Sequence, residues 1–375
     1  RALNGYLSCG IRNCHEVTHL DEAREKLRKG MQVLIRDGSV TRDVEALAEL
    51  IDMTCSPFLA FCTDDRTPLH IAEDGHIDHL IRTAIAKGAP REAVYRAATW
   101  SAARGFGFTD RGLLAPGYLA DIVLLRDLDR CDVTQVIRLG RPVDADMFAA
   151  RRLVPPTGFG SIKRAPVAAD LFRTPCKGPK GPVIGLIPHK IITEHLVLDL
   201  PYRDGARHAD PSIDVLKLAV PERHGHNGNV GRGFVKGFGI THGAIASSIG
   251  HDAHNIITVG DNDADMALAV NRLIELQGGF VAAQDGAVLA DLALPIAGLM
   301  SDRPAEEVEQ ALRILRDHLR AMGCLLDEPF VQLAFLPLSM IPHLKITDRG
   351  LVDADHFKLI SLDGDYLDDQ ATPLP

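Results

Sequence analysis

The strongest constraint on this chain lies in its first hundred residues, where short apolar runs alternate with helical patterns. "RNCHE" (12–16) reads as a short strand, and "LDEAREKLRKG" (20–30) as a helix with Asp21 and Glu22 in its first turn and Gly30 as its stop. "MQVLIRDG" (31–38) is an apolar strand ending in a turn, "VTRDVEALAELIDM" (40–53) an amphipathic helix, and "FLAFCTDD" (58–65) another apolar strand. "HIDHLIRTAIAKG" and "PREAVYRAATWSAARGFG" complete the run as helices, the second with Pro90 in its first turn. Strands of buried type alternating with helices predict parallel βαβ units, whose chemistry gathers at the C-terminal ends of the strands. Two polar clusters, "CHE" and "TDD", fall there.

In "FLAFCTDDRTP" the second cluster sets Asp64 beside Asp65 at the mouth of an apolar strand. A carboxylate in that position is costly unless it is paired or metal-bound. The bland reading is that these aspartates cap the next helix. Two strand-end clusters in one parallel sheet favour a site instead. "HEVTH" (15–19) matches the zinc-protease pattern H-E-x-x-H, which requires a helix to put both histidines on one face. Here the preceding residues read as strand, Val17 and Thr18 are β-branched, and the helix starts near Asp21. A purely structural histidine is one alternative. The preferred reading is His15 alone as a ligand at a strand end, with Glu16 next to it.

Further along, 112–143 reads as β-rich, with a Pro116-Gly117 turn. The Pro/Gly-rich "LVPPTGFGSIKRAP" (153–166) reads as a boundary, and a mixed α/β domain follows from about 164. In it "HNIITVG" and "GFVAAQDGAVLADLAL" predict strands, the latter a hairpin turning at Asp285-Gly286. "DADMALAVNRLIELQGG" and "PAEEVEQALRILRDHLRAMG" predict helices. "GRGFVKGFG" (231–239) reads as a tight loop. "GHDAHNIITVGDNDADM" (250–266) is the densest polar cluster there; His251, Asp252 and His254 stay unassigned, with metal binding open. Asp261, Asp263 and Asp265 imitate a calcium loop, but Met266 and Arg272 stand where such a loop needs Gly and Glu, so helix capping is the reading for Asp261 to Asp263. Walker A, G-x-S-x-G and the H-x-E…P-C-x-x-C deaminase signature are absent from the sequence.

The chain has 375 residues, enough for two or three domains at ~150 residues each. Its net charge of −9 argues against nucleic acid or an anionic membrane as partner. Seven cysteines without regular spacing fit a reducing cytoplasm rather than a disulfide framework. No apolar run reaches the ~18 residues of a membrane span. A homo-oligomer is expected. The sequence opens on Arg1 inside a helical pattern, so it is expected to be the back part of something longer.

The ordered segments "NGYLSCGIRNCHE", "KLRKGMQVLIRDGS", "CTDDR", "GHIDHLIRTAI", "RAATWSAARGFGF" and "GLLAPGYLADIVLL" resemble the bacterial adenine deaminases of the amidohydrolase superfamily. "GFGITHGAIASSIGHDAHNIITVG", "DMALAVN", "LPIAGLMS" and "DEPFVQLAF" resemble the C-terminal domain of the same enzymes. The resemblance implies an α/β architecture: 1–108 as the C-terminal part of a (β/α)₈ barrel, 109–152 as a segment of a small β-domain, and 164–375 as a separate mixed α/β domain. It implies two divalent metal ions, Mn2+ or Fe2+ with Zn2+ as the alternative, His15 and Asp64 among their ligands, and Asp64 as the acid–base group. Glu16 and Asp65 are candidate substrate-facing residues, Asp65 also a support turned toward Arg66 or a helix N-terminus. The family's H-x-H pair, its carboxylate after strand four and its histidine after strand five have no counterpart here, so this chain alone is expected to be inactive. The implied activity is adenine deamination in purine salvage. Another amidohydrolase activity on a cyclic amide and a non-catalytic binding or assembly module are the alternatives, with a zinc protease third.

Overall fold

The computed structural model describes residues 2–150, 152 and 154–367. Arg1, Leu153 and 368–375, which end segments expected from the sequence, lie outside the described residues, as does Arg151. The chain divides into two compact units, 1–154 and 155–375.

The first unit opens with α1 (Ala2–Ser8), β1 (Asn13–Cys14), α2 (Leu20–Arg28) and β2 (Gln32–Arg36). It continues through α3 (Val44–Leu47), a 3₁₀ turn at Ala48–Leu50, β3 (Leu59–Cys62), α4 (Pro68–Glu73), α5 (Ile77–Ala86) and α6 (Arg91–Arg96). A π turn at Ala97–Ser101 leads into α7 (Ala102–Gly105). The strands form one parallel sheet in the order β1-β2-β3, with Cys14 opposite Val33, and Val33, Ile35 and Arg36 opposite Leu59, Phe61 and Cys62. Val33, Ile35, Leu59, Val44, Leu47, Leu80 and Val94 share one buried core between sheet and helices. Each such side chain contributes roughly 1.5–3 kcal/mol on burial. The helix expected over 40–53 starts only at Val44. Residues 39–41 are instead drawn to the Asp65 carboxylate, and Gly38 N–H donates to Thr41 O. The unit ends with an antiparallel sheet of β4 (Ile122–Leu125), β5 (Val133–Arg138) and β6 (Arg141–Pro142), followed by α8 (Ala145–Ala149).

The second unit is built on an eight-stranded, mostly antiparallel sheet ordered β16-β15-β13-β14-β11-β12-β7-β8. In chain order these are β7 (Lys180–Leu186), β8 (Thr193–Asp199), the small pair β9 (Tyr202–Arg203) and β10 (Ala206–Arg207), β11 (Val215–Pro221), β12 (Val230–Lys236), β13 (Ala244–Ser247) and β14 (Ile257–Gly260). Then come α9 (Asp263–Leu276), the hairpin β15 (Gly279–Gln284) and β16 (Ala287–Ala293), α10 (Ala305–Ala321) and α11 (Pro329–Ala334). Strands β17 (Leu344–Thr347), β18 (Gly350–Asp353) and β19 (Lys358–Ile360) make a further antiparallel sheet. The Asn262 side chain caps α9, accepting from Asp265 N–H, while Ala244, Ala246 and Ala283 let the helix approach the sheet. On α10 the buried residues are Val308, Leu312, Leu315 and Leu319, the spacing of one helical face.

"GRGFVK" is not the tight loop its glycines suggest; it is β12, inside the large sheet. Its glycines make room for the β17–β18 hairpin: a Cβ on Gly231 would stand 1.8 Å from Thr347 O, and one on Gly233 would stand 2.8 Å from Leu351 Cδ2.

Candidate functional site

In the first unit the polar side chains collect where the parallel strands end. His15 and Glu16 follow β1 directly, His15 at a bend and Glu16 in irregular backbone, so the strand expected over 12–16 covers only Asn13–Cys14; α2 begins only at Leu20. His15 and His19 therefore share no helix, which removes the H-E-x-x-H reading. His15 Nε2 lies 3.2 Å from Glu16 Oε1. Glu16 Oε2 lies 3.1 Å from Arg36 Nη1 at the end of β2, and the same nitrogen donates to Asp64 Oδ2 at 3.0 Å. One guanidinium nitrogen thus joins the cluster after β1 to the cluster after β3. Asp43 Oδ2 stands 3.5 Å from Arg36 Nε without hydrogen-bond geometry, and both atoms are buried without a hydrogen-bond partner.

Arg36 is 4% exposed as a side chain, whereas Glu16 and Asp64 are about half exposed, at 53% and 43%. Burial pulls the guanidinium pKa down, but Glu16, Asp64 and Asp43 outweigh it and leave the pKa raised. The cation is permanent, and it faces three carboxylates. Asp64 itself has φ 52°, in the left-handed region that aspartate tolerates better than most residues. Cys62, just before it, has its thiol pushed up to about 12 by burial and by Asp64.

Asp65 turns the other way. Its Oδ1 accepts from Ser39 N (3.2 Å) and Thr41 Oγ1 (3.2 Å), and its Oδ2 from Val40 N (3.0 Å). Burial raises its pKa against these donors. Gly38 allows this approach, since a Cβ there would lie 1.6 Å from Asp65 Oδ1. The partners differ from the Arg66 or helix N-terminus read from the sequence. Arg66 is held by Gly75 O and Asp74, and neither aspartate caps α4; Thr67 does, accepting from His70 N–H. Ser39 Oγ accepts from Thr67 N at 2.9 Å and meets the buried His70 Nδ1 at 2.8 Å, so one hydroxyl ties the loop after β2 to the start of α4.

Arg36, Ser39 and His70 went unread in the sequence. For Arg36 a signal was present: a cation closing the apolar run "VLIR", which a buried strand accepts only where carboxylates await it.

Imidazole nitrogen and carboxylate oxygen suit a first-row divalent metal. By donor type His15 and Asp64 fit such a centre. By number they do not complete one: among the described residues, no group of three or more His, Cys, Asp or Glu side chains is placed to hold a metal ion.

In the second unit His251 stacks on Phe335 with centroids 5.3 Å apart, and lies 5.5 Å from the His254 ring. His251 Nδ1 is 3.7 Å from Asp252 Oδ1, and His254 Nδ1 accepts from Gly250 N–H. Burial, then His251 and Arg223, lower the His254 pKa. The three residues lie in and just after a turn preceding β14.

Among the described residues no helix is long and apolar enough to cross a membrane. The amidohydrolase family model matches residues 1–143, and the adenine deaminase C-terminal domain model matches residues 190–358. The adenine deaminase of Methylobacterium nodulans is 60% identical over 359 residues, 96% of this chain and 63% of that protein. Those of Methylobacterium sp. and Cereibacter sphaeroides are 58% and 57% identical, each over 96% of this chain and 64% and 63% of their own lengths. Among solved structures, phenylurea hydrolase B gives a TM-score of 0.28 at 21% identity over 41% of this chain and 43% of that one, a likeness that carries no argument. The chain spans about 63% of the length of the curated relatives it matches. With an amidohydrolase segment followed by the adenine deaminase C-terminal domain, it belongs to the adenine deaminase family of amidohydrolases.

Proposed function

We propose that this chain carries the strand-end acid–base group of an enzyme that converts adenine and water to hypoxanthine and ammonia, in purine salvage in the cytoplasm. The relatives' names suggest the substrate, and the Arg36 bridge between Glu16 and Asp64 supports the placement of the chemistry. The three parallel strands are read as a segment of a (β/α)₈ barrel, whose sites lie at this end.

His15 and Asp64 would be this chain's ligands to a divalent-metal centre of Mn2+ or Fe2+, which when bound acidifies water near neutral pH. The chain's own residues do the rest. Asp64 accepts a proton from the water that adds to C6 of the purine, and returns it to the departing amine as the C–N bond breaks. Arg36 donates to Asp64 Oδ2 and keeps it oriented, leaving Oδ1 for proton transfer. Glu16, tied to the same guanidinium, faces the substrate ring. Asp65, whose two oxygens are engaged by 39–41, supports the loop on which Asp64 sits.

The test is ammonia release from adenine by an active preparation bearing this chain. Asp64→Asn keeps the size and should lower turnover roughly 10²–10⁴-fold, the usual worth of a general acid–base group. Near-normal turnover in Asp64→Asn with a dead Asp65→Asn would reverse the assignment of the two aspartates.

A further inference from the structure

A cavity of about 580 Å³ opens in the second unit between the segment 163–171 and the loop 222–228. Lys163, Arg164, Val167 and Leu171 line one side, Gly225 and His226 the other. Around it sits positive charge without carboxylate partners. Arg164 Nη1 donates only to main-chain oxygens, Glu222 O at 2.8 Å and Asn229 O at 3.3 Å, while its Nε is buried with no hydrogen-bond partner. Arg232 donates to Val230 O and to the carbonyl of Leu171. Arg223, whose carbonyl accepts from Lys163 N–H, is itself buried and bonds to Ser161 Oγ, Ala297 O and His254 O. Among the described residues, none of the three guanidiniums has a carboxylate oxygen within ion-pair distance.

The nearest carboxylate is already engaged. Glu222 folds into its own loop, where Oε1 accepts from His224 N (2.6 Å) and His226 N (3.3 Å), and Oε2 from Gly228 N (3.3 Å). Asp170, the other acid lining the cavity, is exposed. Lys163 and Arg164 line the cavity with these two acids, while Arg223 and Arg232 lie outside the lining, next to it through the bonds to Lys163 N–H and Leu171 O. Arg164 is half-buried and bonded only to carbonyls, with no carboxylate oxygen at ion-pair distance to offset its charge, and arginine's planar fork suits a phosphoryl group. The volume falls within the ~300–1,000 Å³ of small-molecule sites.

We propose that this cavity binds a small phosphoryl anion, free or as a monoester, with Lys163 and Arg164 as its cationic donors and Val167 and Leu171 as the apolar wall for an ester's organic part. No part of this rests on the deaminase reading.

The experiment is calorimetric titration of the whole chain with inorganic phosphate, and separately with a nucleoside monophosphate, at constant ionic strength set with sodium chloride. Saturable one-to-one binding is expected. Lys163→Glu should weaken it roughly tenfold or more, as loss of a charge-assisted contact does. The Lys163 side chain makes no hydrogen bond or ion pair among the described residues, so this variant tests the site even if Arg164→Gln fails to fold. Lys180→Glu, exposed and outside the lining, should bind as the wild type does. Tighter binding of the monoester identifies an organic phosphate as the ligand class, and equal or tighter binding of the free ion identifies phosphate itself. Absence of saturable heat from either, equal binding by Lys163→Glu, or the same response to added chloride would overturn the proposal.

Discussion

Two buried cations, one in each unit, are held in opposite ways. Arg36 of the first unit ends a parallel strand and meets Glu16, Asp43 and Asp64, two of them about half open to water. Lys345 of the second unit is fully buried on β17 and meets only carbonyls, Ile191 O at 2.7 Å and Phe335 O at 3.2 Å. Burial lowers its pKa to about 7. The first arrangement sets its cation against carboxylates, two of which solvent reaches. The second ties three segments together with a cation that can lose its proton near neutrality.

The largest expected effect that tests this contrast is the pH dependence carried by Lys345. Its folded pKa of about 7 lies below the ~10.4 of an unfolded lysine, so between them the folded chain binds fewer protons than the unfolded one. Stability from this group therefore rises with pH above about 7. From pH 7 to 9 the wild type should gain on the order of 2 kcal/mol relative to Lys345→Met, read from denaturant unfolding. Parallel curves for the two proteins would mean that Lys345 stays charged and that the contrast fails.

Arg36→Met comes next. It leaves Glu16, Asp43 and Asp64 facing one another without their cation. A fully buried pair broken in this way loses ~3–5 kcal/mol, but solvent reaches Glu16 and Asp64, so about 1–2 kcal/mol is expected. The loss should shrink as pH falls and Asp43, whose pKa burial raises, takes up a proton. A loss that stays constant down to pH 4 would point to packing rather than charge. Asp65→Asn should cost about 1 kcal/mol in the same assay, because the amide cannot accept from both Ser39/Thr41 and Val40. A neutral result would show that the 39–41 loop holds its shape unaided.

How far the sequence reveals these arrangements differs by kind of contact. The three parallel strands and the helices α2 and α5 follow from local periodicity, and the hairpin at Asp285-Gly286 follows from its turn pair, with φ 54° and 75°. Strand β12 was illegible because its glycines answer a contact with Thr347, over a hundred residues away. The shortened α3 was illegible for a similar reason: Asp65, two dozen residues on, takes the amides of 39 and 40. At the candidate site, the strand ends mark His15, Glu16 and Asp64, but that one Arg36 nitrogen joins two of them depends on register between strands. Local patterns report what a residue prefers; pairing across the sheet reports what it meets.

The smallest expected effect belongs to His242, a surface cation that resembles Arg36 in meeting carboxylates and Lys345 in being able to titrate. Its Nδ1 lies 2.9 Å from Asp261 Oδ2 and its Nε2 lies 2.9 Å from Asp285 Oδ1. A neutral imidazole has one N–H, so only the imidazolium donates to both. The bonds to Asp261 and Asp285 raise its pKa above 6.5. Asp261 is further held by Gly243 N–H, and the turn bearing Asp285 is held by Asp265, which accepts from the amides of 285 and 286. Neighbouring Asp263 pairs with Lys217. A raised histidine pKa contributes stability that is complete below the unfolded value of ~6.5 and is lost as pH rises through the folded value. With His242 and Asp285 largely exposed, that contribution should be a few tenths of a kcal/mol. His242→Gln should remove it, so that the variant and the wild type converge in unfolding midpoint above pH 8 and separate below pH 6. An NMR titration of the His242 ring giving a pKa at or below 6.5 would show that one of the two carboxylates is not engaged in solution. His242 would then be an ordinary surface histidine, and the contrast between the units would rest on Arg36 and Lys345 alone.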